Sequence, residues 1–363
     1  MKLLSVDGVV KRFGSLTALH ELTLEVRENE FFCIVGPSNA GKSTLLKTIA
    51  GLHRPDSGTV SIRGRDVTRL APKQRRVSLL FQNIALFPNL TGFENIAFPL
   101  VAAGLSKEEI RIRVHRIAEM LAVPHVLLRY PRTFSGGEQQ RVAIGRSIVG
   151  ESDLLMLDEP LSNLDARIRI AMRLEFKMLR KEMAGGILYV THDHIEAMSL
   201  SDRLAVLHQG QIQQIGTPEE IYRYPINRVV ARLFGAPPMN IIPVRISGSP
   251  DGPQFAGDGF CVTVNELNTL GAFPNLPTAL ALGLPAESIT VTAARSRETP
   301  FHGEVLRVEH LGNKSILEIR LGGGIVKAVV APDQLTSGLG PVWLGFIPDA
   351  RHLMDRDSGE FLR

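Results

Sequence analysis

The chain has 363 residues, of which 44% are hydrophobic and 21% are charged, and its formal net charge is +4. This length allows two or three domains with cores of their own, and so weak a charge gives no support to a nucleic-acid-binding surface. The first residues, MKLLSVDG, lack the apolar region of a signal peptide, and no apolar run reaches the roughly 18 residues that a membrane span needs. The two cysteines, Cys33 and Cys261, are predicted to be buried thiols of a reducing compartment. We therefore expect a cytoplasmic protein that reaches any membrane through partners.

The N-terminal segment has the pattern of antiparallel strands. Apolar and polar residues alternate over residues 3–9 and again over residues 19–26. Between these runs, Phe13 stands on a turn marked by Gly14. An aromatic ring at this position would stack on a nucleotide base or, alternatively, cover the edge of the sheet.

A phosphate-binding loop follows the apolar run at residues 31–35. The sequence GPSNAGKST at residues 36–44 fits the pattern G-x-x-x-x-G-K-[ST], with a predicted strand before it and a predicted helix after it. Backbone N–H groups of such a loop and the helix N-terminus together bind a di- or triphosphate. We predict that Lys42 reaches the β and γ phosphates and that the Ser43 hydroxyl is a ligand of Mg²⁺.

Three further apolar runs end in polar side chains. They end at Gln82, at Asp158 with Glu159, and at His192. In open α/β sheets, ligands bind beyond the carboxyl ends of parallel strands. These strand ends and the phosphate loop are therefore predicted to form one site.

The polar side chains of this site suit phosphate hydrolysis. Asp158 would hold Mg²⁺ through water together with Ser43, and Glu159 would be the base or polarising acceptor for an attacking water. Gln82 would bind the metal or the water, and His192 would bind the γ-phosphate or hold the water in line. Alternatively, Asp158 and its neighbours cap a helix, and His192 is structural.

A second helix start carries two adjacent glycines. Ser135 and Glu138 have the spacing of a capping box, but each glycine between them costs about 1 kcal/mol against alanine in a helix interior. Bare backbone at a helix N-terminus suits close approach to a phosphate. Because the chain already has a phosphate loop, we expect this helix to act on a nucleotide held by another subunit.

With these motifs, the chain resembles the ATPase subunit of an ABC transporter over nearly its whole length. The matching motifs are an A-loop aromatic at Phe13, the Walker A loop at 36–44, the Q-loop at Gln82, the signature FSGGEQQR at 134–141, Walker B LLMLDEP at 154–160, a D-loop SNLDA at 162–166 and the switch His192. The resemblance implies an α/β P-loop NTPase, in which a RecA-like core carries an antiparallel β subdomain and a helical subdomain at about 83–150. It also implies MgATP as ligand. The ATP-binding residues would be Phe13, Gly36, Pro37, Ser38, Asn39, Ala40, Gly41, Lys42, Ser43 and Thr44.

The resemblance further implies a head-to-tail dimer that encloses two ATP molecules. Each ATP would lie between Lys42 of one subunit and residues 135–137 of the other, with Glu138 and Asp165 at the interface. Hydrolysis would drive alternating access in separate permease subunits, to which a solute-binding protein delivers the solute. The ATPase itself would lie at the cytoplasmic face of the inner membrane. The segment 83–98 would receive the permease, nearest at Phe87 and Glu94, although core packing of the helical subdomain explains most of its apolar residues.

The composition changes after about residue 240. Short alternating runs such as SILEIRL and IVKAVVA, separated by glycine turns, predict a small β-barrel. This part resembles the TOBE-like regulatory domain, an oligonucleotide-binding fold, of importers related to the maltose and glycerol-phosphate ATPases. We predict an ABC nucleotide-binding domain at 1–235 and the β-rich domain at 236–363.

The sequence departs from the family pattern at three places. Asn39 stands where a glycine is usual, Glu138 replaces the commoner glutamine, and GLPAE at 283–287 lacks the arginine of G-x-R-P-E. Asn39 tolerates a positive φ, so we expect the loop to keep its conformation.

The cargo and the broader function have alternatives. The phrase APPMN favours a sugar, polyol or sugar phosphate, while polyamine, sulfate and ferric-ion importers carry similar ATPases. A protein acting on nucleic acid or ribosomes usually carries two cassettes or a long coiled-coil insertion. This chain has one cassette and no such insertion, so no nucleic-acid partner is expected.

Overall fold

The structure is a computed structural model that describes residues 1–81, 86–150, 152–162, 164–182, 185–249, 252–263, 277, 279–332, 339–347 and 352–362. The chain divides into two compact units, Met1–Glu219 and Glu220–Arg363. An α/β unit followed by a β-rich unit confirms the predicted fold class.

Unit 1 contains two sheets and six helices within its described residues. The strands are β1 (Lys2–Phe13), β2 (Leu16–Arg27), β3 (Phe31–Val35), β4 (Ser57–Ile62), β5 (Arg65–Asp66), β6 (Val77–Leu80), β7 (Leu154–Asp158), β8 (Gly186–Thr191), β9 (Arg203–His208) and β10 (Gln211–Gly216). The helices are α1 (Lys42–Ala50), α2 (Gly92–Ala102), α3 (Lys107–Met120), α4 (Gly136–Ile148), α5 (Ala166–Glu182) and α6 (His194–Leu200).

The smaller sheet is antiparallel, as the alternation predicts. Its strand order is β2-β1-β4-β5, and β1 pairs with both β2 and β4. Apolar side chains of this sheet, of α1 and of the central strands pack into one core. The sheet therefore covers one side of the strands that carry the phosphate loop.

The central sheet has the order β10-β9-β3-β8-β7-β6. Strands β9, β3, β8, β7 and β6 run parallel, and β3, β7 and β8 are buried along their whole length. Parallel strands covered on both faces read as continuous apolar runs, which is why the sequence shows them so clearly. Their carboxyl ends share one edge, where Gly36, Asp158 and His192 follow. The predicted convergence is confirmed for these residues, while Gln82 lies outside the described residues.

Three helices between β6 and β7 begin with the same local structure. In each, a hydroxyl side chain accepts from the backbone N–H three residues on, and a glutamate there accepts from the capping residue's N–H. The pairs are Thr91 with Glu94, Ser106 with Glu109, and Ser135 with Glu138. The predicted capping box at Ser135 is thus confirmed.

Unit 2 is built from two five-stranded antiparallel sheets, in the orders β13-β12-β11-β14-β20 and β15-β19-β16-β17-β18. The strands are β11 (Asn240–Ser249), β12 (Gly252–Gly257), β13 (Phe260–Thr263), β14 (Leu280–Leu284), β15 (Ile289–Thr292), β16 (Phe301–His310), β17 (Ser315–Leu321), β18 (Gly324–Val330), β19 (Gly340–Phe346) and β20 (His352–Asp355). Both sheets contribute to one core. The alternation of β17 and β18 in the sequence corresponds to alternating burial in the structure.

Two short helices precede the sheets of unit 2, α7 (Pro218–Arg223) and α8 (Arg228–Leu233). The sequence analysis set the domain boundary between residues 235 and 236, sixteen residues beyond the division at Glu219. Backbone hydrogen bonds from Arg228 N to Gly359 O and from Phe361 N to Ile226 O, both 2.8 Å, join this segment to the C-terminal residues. Such long-range pairing leaves no mark in the local sequence.

Two further features concern membrane crossing and the two cysteines. Throughout the described ranges, no helix combines the length and apolar composition needed to cross a membrane. Both cysteines are free thiols, and Cys33 is buried as predicted. The prediction for Cys261 is wrong: it lies exposed on β13, where its thiol donates to Gln254 Oε1 at 3.0 Å. A cysteine in a strand of alternating burial falls on either face, so its residue type alone does not predict burial.

Candidate functional site

The phosphate loop lies between β3 and α1, and its backbone is closely packed. Gly41 precedes α1 with φ 105°, and Asn39 has φ 66°, the positive value that the sequence analysis expected there. A Cβ atom on Gly36 would lie 2.1 Å from the carbonyl oxygen of Leu207, so this position accommodates no side chain. Bare backbone is therefore required where the loop leaves β3.

The Lys42 side chain is 5% exposed and lies inside this loop. Its ammonium donates to the carbonyl oxygens of Gly36 and Pro37, both at 2.9 Å, and lies 3.7 Å from Glu159 Oε1. Burial lowers the pKa of Lys42, while the carboxylates of Glu159 and Asp158 act in the opposite direction. A buried ammonium among oxygen atoms is suited to binding an anion.

Asp158, the last residue of β7, has the features of a cation ligand. Burial raises its pKa, and a hydrogen bond from the Ser43 hydroxyl opposes that shift. Its Oδ1 atom is buried and has no hydrogen-bond partner among the described residues. An unpartnered carboxylate oxygen beside a hydroxyl is the kind of donor set that Mg²⁺ prefers. Within the described part of the chain, no cluster of three or more His, Cys, Asp or Glu side chains is present.

Glu159 lies between two other predicted site residues. Its Oε2 atom is 3.0 Å from His192 Nδ1, and its Oε1 atom faces Lys42. The backbone of Glu159 has φ 48°, and its N–H donates to Val190 O at 2.9 Å. A positive φ at a non-glycine residue is uncommon and costs about 1 kcal/mol or more. The contact with β8 holds this conformation, which directs the carboxylate between Lys42 and His192.

The start of α4 carries the predicted signature residues. Glu138 Oε2 accepts from Ser135 N at 2.6 Å, and its Oε1 atom lies 2.8 Å from His125 Nε2. These contacts, led by the Ser135 N–H, lower the pKa of Glu138 to about 2. A Cβ atom on Gly136 would meet nothing within 4 Å, and one on Gly137 would have only ordinary contacts. Packing within this chain therefore does not require either glycine.

Phe13 and Asp165 are two further predicted site residues. Phe13 is 44% exposed, with its ring 5.3 Å from that of His53 and Lys11 above it. Asp165 is exposed and caps α5, where its Oδ1 accepts from Ile168 N at 3.0 Å. Phe13 is thus accessible for stacking, and Asp165 faces solvent beside the turn that follows Glu159.

The segment expected to meet a permease is described from residue 86 onward. Phe87 and Phe98 are 40% and 46% exposed, and their ring centroids are 4.6 Å apart. Glu94 is engaged in the cap of α2 with Thr91. Residues 83–85 lie outside the described residues, as Gln82 does.

Sequence reasoning missed one side chain that links α4 to the turn after β7. Gln140 is 3% exposed, and its amide donates a hydrogen bond to Pro160 O. It connects the helix that begins at Gly136 with the residue that follows Glu159. A signal existed: Gln140 is a polar residue four positions before Ile144, on the apolar face of α4.

Known proteins are similar to this chain along most of its length. A family model described as ABC transporter matches residues 19–162, and one described as TOBE domain matches residues 295–343. The maltose/maltodextrin import ATP-binding protein MalK of Yersinia pestis bv. Antiqua is 41% identical over 318 residues, covering 87% of this chain and 85% of that protein. The sn-glycerol-3-phosphate import ATP-binding protein UgpC of Cupriavidus pinatubonensis is 40% identical over 99% of both chains.

Solved structures give the same result for the α/β part. A dimeric ATP-binding cassette in a post-hydrolysis state, bound to ADP and Pi, is 30% identical and has a TM-score of 0.56. The match covers 60% of this chain and 99% of that one.

Proposed function

Because this chain belongs to the family of ABC transporter ATP-binding proteins, we propose that it is the ATPase subunit of an importer for a sugar, polyol or sugar phosphate. The observation that carries this proposal is the position of Glu159 between Lys42 and His192, beside the phosphate loop. Relatives named for maltodextrin and glycerol-phosphate import align over 87% and 99% of the chain, and this supports the cargo class.

ATP binding is assigned to the loop at 36–44 and to Phe13. The loop's N–H groups, the N-terminus of α1 and the Lys42 ammonium offer positive charge to the triphosphate. To receive phosphate, Lys42 exchanges its present carbonyl partners for phosphate oxygens. The exposed ring of Phe13 stacks on the adenine base.

Hydrolysis is assigned to Glu159, which accepts a proton from the attacking water or polarises it. His192 holds the γ-phosphate and the Glu159 carboxylate in place through its two ring nitrogens. Ser43 and Asp158, with Gln82, would hold Mg²⁺. When bound, Mg²⁺ supplies positive charge that stabilises the phosphate oxygens.

The signature residues complete a site on a second ATPase subunit, which is either a copy of this chain or a related one. Ser135, Gly136, Gly137 and Glu138 would face the triphosphate held by that subunit, with Asp165 at the interface. The open space around Gly136 supports this assignment, because the glycine has no packing role in its own chain. A helix N-terminus without side chains brings backbone N–H groups close to a phosphate.

Membrane attachment is assigned to the permease subunits. The exposed pair Phe87 and Phe98 belongs to the surface around 83–98 that would receive them, on the cytoplasmic face. A solute-binding protein would act indirectly through those permeases.

The catalytic assignment is tested with Glu159→Gln. We expect this variant to bind ATP as the wild type does, and its turnover to fall by about 100-fold or more, because the proton acceptor is lost. Glu25→Gln, which neutralises a partly exposed carboxylate on β2, is the control and should keep wild-type turnover. Normal ATP turnover by Glu159→Gln would remove Glu159 from its role.

The cargo class is tested separately. A solute-binding protein that stimulates the ATPase of this chain assembled with its permeases is purified, and its affinity is measured for maltodextrins, glycerol phosphate, polyamines, sulfate and ferric ion. Tight binding of a sugar, polyol or sugar phosphate supports the assignment. Preference for a polyamine, sulfate or ferric ion would overturn the cargo class and leave the ATPase role intact.

A further inference from the structure

One arginine of α5 joins the loop that contains Asp165 to the loop that contains His192. Arg169 lies one helical turn after Asp165, and its backbone N–H donates to Asp165 O at 2.9 Å. Its guanidinium NH2 group donates to Leu164 O at 3.1 Å. This side chain therefore holds the backbone carbonyl that directly precedes Asp165.

The two other nitrogens of the same guanidinium face two carboxylates. NH1 lies 3.7 Å from Asp193 Oδ2, and Nε lies 3.9 Å from Glu196 Oε1. Asp193 directly follows His192, and its other oxygen caps α6 by accepting from Ile195 N at 2.8 Å. The cap formed by Asp193 therefore fixes the course of the backbone directly after His192.

The carboxylates that face Arg169 are themselves fixed to the end of β8. Glu196 is buried, and its Oε2 accepts from Tyr189 OH at 2.8 Å and from Thr191 Oγ1 at 2.9 Å. The N–H of Asp193 donates to the same Thr191 hydroxyl at 2.9 Å. These hydrogen bonds hold residues 191–196 together, and Arg169 joins that group to residues 164–165.

The guanidinium retains some freedom in this arrangement. Its Nε atom is buried and has no hydrogen-bond partner among the described residues, and its two carboxylate contacts are longer than hydrogen bonds. A small displacement of either loop would change these contacts without breaking the packing of α5.

From this geometry, and resting on the function proposed above, we infer that Arg169 is a positioning residue for ATP hydrolysis. It transmits the position of the Asp165 loop, which a second subunit would contact, to His192 and hence to the contact between His192 and Glu159. Arginine suits this role because its planar group binds a carbonyl through one nitrogen while its two other nitrogens face carboxylates, an arrangement that an ammonium does not reproduce.

The inference predicts an effect on turnover that is separate from ATP binding. Arg169→Met should lower kcat by about ten-fold, the range in which contacts within one network are coupled. ATP affinity, measured in the Glu159→Gln background so that no nucleotide is consumed, should stay within about two-fold of that background. Arg169→Lys should recover only part of kcat, because it keeps the charge and loses the fork.

Two further variants make the test independent of how well Arg169→Met folds. Asp193→Asn keeps an oxygen that can cap α6 and removes the charge facing Arg169, so it should reproduce the loss of kcat with unchanged ATP affinity. Lys177→Met removes an exposed positive charge from the same helix and should keep wild-type kcat.

The outcomes distinguish the inference from the function on which it rests. A loss of kcat in Arg169→Met and Asp193→Asn, with unchanged ATP affinity, supports the inference. Wild-type kcat in both variants would overturn it, as would a parallel loss of kcat, ATP affinity and thermal stability, which indicates a purely structural role. Absence of ATP turnover in the wild-type chain would overturn the proposed function as well.

Discussion

Gly136→Ala tests the proposed two-subunit site without disturbing the packing within this chain. The substituted Cβ would meet nothing within 4 Å in this chain, and Gly136 is the first residue of α4. Its φ is not in the positive range, so alanine adopts the same backbone conformation. Alanine is favoured over glycine in helices by at most about 1 kcal/mol. The free energy of unfolding is therefore expected to stay unchanged or to rise by up to about 1 kcal/mol.

The same methyl group should strongly reduce ATP turnover. In the proposed dimer it would stand between the α4 backbone and the triphosphate held by the second subunit. Displacing a phosphate by about 1 Å can cost on the order of 100-fold in rate. Urea denaturation measures the stability, and steady-state phosphate release measures the turnover. ATP-dependent dimerisation in the Glu159→Gln background, followed by sedimentation, should weaken in parallel with turnover.

A second glycine of α4 provides the matched control. At Gly145 a Cβ would lie 3.1–3.3 Å from side-chain carbons of Leu121, Ile117 and Ile96. Crowding of this kind costs about 1–3 kcal/mol, which helix propensity only partly offsets. Gly145→Ala should therefore lose stability and keep turnover per folded molecule. The reasoning would be refuted if Gly136→Ala destabilised the chain or hydrolysed ATP at the wild-type rate.

Three further predictions concern stability. Gly36→Ala should lower the free energy of unfolding, measured by urea denaturation, by more than about 3 kcal/mol, because the new Cβ would lie 2.1 Å from a carbonyl oxygen of β9. Wild-type stability in this variant would contradict that close approach. Arg75→Met should lower the free energy of unfolding by about 3 kcal/mol in the same assay, because the buried guanidinium donates to four backbone carbonyls that would lose their partner. A loss below about 1 kcal/mol would count against this role. The pKa of Glu138 is lowered from 4.5 to about 2, so its ionised form stabilises the fold above pH 4.5, and this contribution is lost as the pH falls toward 2. The stability difference between wild type and Glu138→Gln should shrink over that range, and a difference that does not depend on pH would contradict it.

The central sheet could be predicted from sequence because its strands are buried on both faces. Continuous apolar runs that end in polar side chains mark both the strands and the edge at which they meet. Parallel pairing then brings Asp158 opposite Val190 and Val35 opposite Thr191, which places the following residues side by side. The capping box at Ser135 was equally accessible, because all of its contacts lie within four residues.

Other features depend on contacts that are distant in sequence. The positive φ of Glu159 is held by Val190 O, and the role of Arg169 depends on α5 packing beside the end of β8. The hydrogen bond from Gln140 to Pro160 joins two motifs that the sequence analysis treated separately. Each of these contacts joins residues that lie far apart in the chain, so a short sequence window does not show which partner the residue meets.

The most direct test of the account is the structure of Glu159→Gln with ATP bound. The account predicts a closed pair of subunits in which the Gly136 and Gly137 amides of one lie against the triphosphate held by Lys42 of the other. Amides that face bulk solvent in a closed assembly, or a triphosphate enclosed by a single copy of the chain, would contradict the shared site.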